Sequence, residues 1–263
     1  LKAIPAFWDM NDQNIINALE GMVNQGIMRV NERGNFEAVL PGADFFNTYI
    51  FTANTALKDC LTAYDILFEK FNIVPPSTCA SCWKVVVHCK TVYEMFQIWS
   101  AMKEQGIPGK AGTDEREFAG GFYHVFAYNA SMEEGRAKWC QMVRLAQEAA
   151  GGHFMDDYMK TVILKRGCTE MEGRLPSINW RVPEAQLEFE QKVADLIEPM
   201  PLKIAQPEWL IAHKMRRWCT KAHMIGDMSY KELEPITGPI NFGVKSLTYH
   251  QKEWLDDENV IQE

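Results

Sequence analysis

Two capping boxes, each directly behind a strand-like run, constrain the fold of this chain more than any other feature. Trp83-Lys-Val-Val-Val-His-Cys-Lys90 is rich in β-branched residues and predicts a strand. Thr91-Val-Tyr-Glu94 follows it, a pattern in which the Thr hydroxyl and the Glu carboxylate satisfy orphan N–H groups at a helix start. That helix runs to Gln105, where Gly106 and Pro108 stop it. Gly109-Lys-Ala-Gly-Thr-Asp114 reads as a short edge strand and Gly121-Phe-Tyr-His-Val-Phe-Ala-Tyr-Asn129 as a strong one. Ser131-Met-Glu-Glu134 is the second capping box, opening a helix that ends at Gly151-Gly152. Lys160-Thr-Val-Ile-Leu-Lys-Arg-Gly-Cys168 supplies the last strand.

The order is β-α-β-β-α-β, which predicts an α+β protein with a ferredoxin-like core, a statement about shape and not about chemistry. Three regions are expected: a helix-hairpin-helix over 1–76, the core with its cysteines over 77–173, and a helical extension and tail over 174–263. In the first region Ile15, Ile16, Leu19, Met22 and Val23 share a helical face, and Ile27–Val30 and Phe36–Val39 flank a turn-rich link. Phe46, Tyr49, Ile50, Ala53, Leu57, Leu61, Tyr64, Leu67, Phe68 and Phe71 follow helical spacing, which predicts a long helix halted by Pro75-Pro76. In the last region Pro183 and Pro207 stand where helices begin.

The topology has a chemical consequence. The first and last strands of such a core are antiparallel neighbours, so the start of one lies beside the end of the other. Cys79 and Cys82, a C-x2-C pair, precede the first, and Cys168 ends the last. A fourth ligand, needed for a closed zinc site or a four-iron cluster, is expected from Cys219, with His223 and His213 behind it. Four scattered cysteines without a second C-x2-C knuckle favour an iron–sulfur cluster over zinc. Lys165 and Arg166 stand ready to offset thiolate charge. The plainer reading of each thiol is a small buried hydrophobe.

Strand alternation predicts a second surface. Lys84, His88 and Lys90 fall on one face of the first strand, and Phe122, His124, Phe126 and Tyr128 on one face of the third. Cations, imidazoles and aromatics together suit bases and phosphates. The run from Gly121 to Tyr128 resembles the aromatic strand of RNA-recognition modules, although it lacks that motif's leading Lys or Arg and its inner Gly or Ala. A face covered by the terminal helices is the competing expectation.

Composition narrows the classes. The net charge of −8 weighs against general nucleic-acid binding but permits a local basic face. Seven cysteines, an odd number over 263 residues, do not form a disulfide framework. The opening Leu1-Lys-Ala-Ile-Pro-Ala-Phe-Trp8 is too short and broken for a secretory signal, and no apolar run approaches a membrane span. Phosphate-loop, dinucleotide, zincin and nucleophile-elbow motifs are absent. The expectation is a cytoplasmic protein whose cysteine-ligated iron–sulfur cluster has a redox or structural role within a larger complex. Alternatives are a nucleic-acid-binding subunit with a structural zinc, or a metal-free interaction protein.

Overall fold

The computed structural model describes residues 11–26, 28–38, 48–52, 66–68, 70–115, 120–175, 180–197 and 206–240. Helix α1 (Asp12–Asn24) starts where the Asn11 side chain accepts from Asn14 N, and it buries Ile15, Leu19 and Met22, three of the five residues on its predicted face. Strands β1 (Met28–Val30) and β2 (Phe36–Ala38) pair antiparallel as a hairpin. Asn31 Oδ1 accepts from Arg33 N and Asn35 N in the turn between them. Strand β3 (Ile50–Phe51) comes next.

Helix α2 (Ser77–Ser81) leads into β4 (Trp83–Cys89). Helix α3 (Val92–Glu104) is capped by Thr91, which accepts from Glu94 N, while Glu94 accepts from Lys90 N. Strands β5 (Gly109–Thr113) and β6 (Tyr123–Asn129) precede α4 (Met132–Ala150). Ser131 and Glu134 cap α4 in the same way, and Gly151 ends it at φ 60°. Strand β7 (Val162–Arg166) follows, then α5 (Thr169–Arg174), α6 (Glu184–Leu196) and α7 (Glu208–Met224). The molecule is thus mixed α+β, with a two-stranded sheet and a five-stranded antiparallel sheet of order β3-β5-β6-β4-β7.

One face of the large sheet packs on helices. Val85, Val87, Tyr123, Val125 and Ala127 meet Met95, Ile98 and Met102 of α3 and Met142, Leu145 and Ala146 of α4. Helix α7 joins this layer through Met215, Trp218, Cys219 and Ala222, with the Trp99 and Trp218 rings edge to face at 6.4 Å. Helix α6 goes elsewhere: Phe189, Val193 and Ile197 close the core of α1, β1 and β2, where the Phe71 and Phe189 rings meet at 5.3 Å. The C-terminal helices therefore serve two separate apolar clusters.

Two expectations change. Tyr49 and Ile50 carried helical spacing, yet Ile50 pairs with Ala111 and Phe51 with Lys110 in an edge strand. Side chains of the C-terminal part fix this edge: Trp218 Nε1 donates to Thr48 O (2.7 Å), Lys214 Nζ to Tyr49 O (3.0 Å), and Gln206 bonds both Tyr49 O and Phe51 N. Tertiary partners thus override local periodicity. Phe46 and residues 53–65 of the predicted long helix lie outside the described residues, as do 241–263 of the predicted tail. The last strand is also shorter than its pattern, because Tyr158–Thr161 forms a helical turn ahead of it. Among the described residues, no helix is long and apolar enough to cross a membrane.

Candidate functional site

The cysteine edge is assembled by α6. Glu190 of α6, a buried carboxylate, accepts from Ser77 N with both oxygens (3.0 Å each) and from Ser77 Oγ. Gln186 Nε2 donates to Pro75 O (2.8 Å) and to Glu190 (2.7 Å). These bonds hold α2 and its C-x2-C turn in place. The ladder of β4 and β7 continues past Trp83 and Arg166, because Gly167 N donates to Cys82 O at 3.0 Å. The start of the first core strand thus lies beside the end of the last.

The thiols divide by pleat. A Cβ on Gly167 would overlap Cys82 Sγ, so the Cys82 thiol lies on the Gly167 side of the ladder. Cys168, one residue on in extended backbone, turns to the other side. It packs at an apolar cluster of Phe68, Cys79 and Met171, with Val74 and Trp180 beside it. Cys219 sits in the separate helix-side core, where burial pushes its thiol up to about 11. His213 and His223 are exposed on α7. Among the described residues, no group of three or more His, Cys, Asp or Glu side chains is arranged to hold a metal ion. Arg166 lies between the rings of Trp83 (4.4 Å) and Trp180 (4.7 Å) and donates to Ala80 O, while Lys165 pairs with Glu172 at 2.9 Å.

The polar sheet face forms with the expected alternation. Lys84 stands opposite Tyr128, Val86 opposite Phe126, and His88 opposite His124. Lys110, opposite Phe126 on β5, places its ammonium 4.1 Å from the Tyr49 ring centre, 5.5 Å from Phe126 and 5.7 Å from Tyr128. Lys84 lies 5.6 Å from the Phe126 ring. The His88 and His124 rings meet edge to face with centres 4.8 Å apart. Burial pushes the His88 imidazole pKa down, a hydrogen bond with the Gly120 backbone opposes that, and Lys165 adds to the depression. Phe122 lies one residue ahead of the strand and packs against Tyr123 and the helix-side core.

The face is graded in exposure. His124 (2%), Phe126 (4%) and Lys84 (5%) are buried at its centre. Tyr49 covers Phe126, and Thr169 of α5 accepts from Lys84 Nζ (3.5 Å) and Lys165 Nζ (3.2 Å). His88, Lys110, Tyr128 and Lys165 are half-buried, and Lys90 is exposed. Tyr49 and Glu172 belong to this surface and carry no local signal of it. Each arrives from another element.

No protein-family model matches the chain, and neither a curated protein nor a solved structure is significantly similar to it.

Proposed function

We propose that residues 83–166 form a ferredoxin-like core whose open sheet rim binds single-stranded nucleic acid. The strand order β5-β6-β4-β7, with α3 and α4 on one face, supports the core assignment. The observation that carries the binding is the Lys110 ammonium set among Tyr49, Phe126 and Tyr128, beside half-buried His88 and exposed Lys90. A base stacks on Tyr128 while Lys90 and Lys110 meet phosphates; the buried centre acts as a rigid support. The face is locally cationic although the whole chain carries −8, so binding is weak and salt-sensitive.

The test is fluorescence anisotropy of a labelled oligoribonucleotide, titrated between about 50 and about 200 mM salt. Two phosphate contacts predict a log–log slope of about −1.4. Lys110→Ala and Tyr128→Ala weaken binding without unfolding the chain. No binding at the lowest salt removes the proposal.

A thiolate metal site is the second reading, supported by Cys79 and Cys168 in one cluster with Cys82 on the neighbouring ladder position. It requires the Cys82 side chain to leave the Gly167 side, and a ligand other than Cys219 to complete the shell. Metal and sulfide analysis of protein purified without oxygen decides it. An iron–sulfur content supports a cluster, and neither iron nor zinc removes the reading.

A further inference from the structure

We propose that Glu172 is an internal competitor for phosphate, holding Lys165 where the backbone of a bound strand makes a third contact. The inference rests on the nucleic-acid reading above and names a regulation of that same face. Lys165 pairs with Lys84 on β4, which pairs with Tyr128 on β6, so the three residues form one row across the sheet. Directly paired residues point to the same side, and Lys165 therefore shares the open face with Tyr128. Two strand spacings separate them, about 10 Å, within reach of a strand stacked on Tyr128. Burial lowers the His88 pKa against a Gly120 backbone bond, and the Lys165 charge lowers it further, as an ammonium on this face would.

The row is built to hold an anion. Ammonium groups directly opposite on adjacent strands repel, so Lys84 and Lys165 favour a negative group beside them. Thr169 of α5 accepts from both, at 3.5 Å from Lys84 Nζ and 3.2 Å from Lys165 Nζ. Glu172, three residues on, supplies the charge at 2.9 Å from Lys165 Nζ. A phosphate oxygen offers an ammonium the same charge-assisted bond.

The ion pair lies where a strand can reach it. The Lys165 side chain is 28% exposed and that of Glu172 32%. Met171, fully buried in the cluster of Phe68 and Cys79, fixes α5. The exchange therefore needs only the Glu172 side chain to swing away. Lys165 then adds a phosphate contact to those of Lys90 and Lys110. In the wild type the loss of the carboxylate offsets what the phosphate contributes, so Glu172 holds the affinity down.

The test is anisotropy of the same labelled oligoribonucleotide with the full chain, Glu172→Gln, and Lys165→Ala in both backgrounds. Glu172→Gln removes a charge at a half-exposed position and leaves Met171 in place. It is expected to tighten binding about 5-fold at about 50 mM salt, the upper end for a part-exposed ion pair. The log–log slope steepens from about −1.4 to about −2.1, because one more contact adds about −0.7. Lys165→Ala weakens binding about 5-fold more in the Glu172→Gln background than in the wild type. Glu148→Gln removes the same charge from an exposed position of α4, on the helix side of the sheet, and leaves the slope at about −1.4. Wild-type affinity and slope in Glu172→Gln, or an equal gain in Glu148→Gln, overturn the inference and leave the nucleic-acid reading standing. No binding by either the wild type or Glu172→Gln removes that reading and the inference with it.

Discussion

Replacing Gly167 by Ala tests the juxtaposition on which the cysteine edge depends. A Cβ at that position would overlap Cys82 Sγ and stand 3.1 Å from Cys82 Cβ and 3.5 Å from Cys82 O. The backbone of Gly167 does not require positive φ, so the cost is one of space. Overpacking costs about 1–3 kcal/mol. The offending atom is a thiol that can rotate to another well, which places Gly167→Ala at the lower end, about 1–2 kcal/mol. For a chain of this size that is a fall of about 2–8 °C in Tm. Cys82→Ala at its half-exposed position costs about 0.5 kcal/mol. In that background the clash partner is gone and only the 3.1 Å approach to Cβ remains, so Gly167→Ala costs about 0.3 kcal/mol. Urea denaturation of the four proteins reads the coupling, expected at about 0.7–1.7 kcal/mol. Equal costs of Gly167→Ala in both backgrounds would refute the placement of Cys82 beside the end of β7, and with it any shared site.

Other outcomes follow from single contacts. Glu190→Ala leaves the Ser77 N–H without its acceptor, leaves Gln186 with Pro75 O alone and loosens α2, a loss of about 2–3 kcal/mol in urea denaturation. Trp218→Phe removes the donor to Thr48 O inside the core and costs about 1–3 kcal/mol; a stability equal to wild type would deny that this bond anchors β3. Burial raises the Asp227 pKa, but hydrogen bonds from Val92 N, the Ser229 side chain, Tyr123 and Ser229 N outweigh it, and the net pKa is lowered. Its contribution is therefore fully present above the ordinary carboxylate range and is lost as pH falls through the depressed value. Asp227→Asn should lower stability at neutral pH, and the difference from wild type should vanish in strong acid. A gap that persists unchanged there would contradict the assignment.

The local elements of the core were legible because their causes are local. Thr91 with Glu94, and Ser131 with Glu134, satisfy N–H groups within four residues of themselves, so their sequence spacing already states the bonds. Alternation along 83–90 and 122–128 likewise placed Lys84 and His88 on one face of their strand and His124, Phe126 and Tyr128 on one face of theirs, and the β4–β6 register joined the two sets. Phe122 escaped that pattern because it precedes the strand and follows Gly121 at φ 119°.

What the sequence could not state depends on partners far along the chain. Ile50–Phe51 became a strand through β5 and through Gln206, Lys214 and Trp218, over 150 residues away, against its own helical spacing. Order along the chain brought Cys82 and Cys168 to one edge, but the pleat decided which side each thiol takes, and the packing of α7 carried Cys219 to another core. The sequence by itself determined the two capped helices and the strand faces of the core, because hydrogen-bonding and alternation rules act over a few residues. Only the tertiary structure decided which faces are covered and which side chains meet, because burial is a property of the assembled layers.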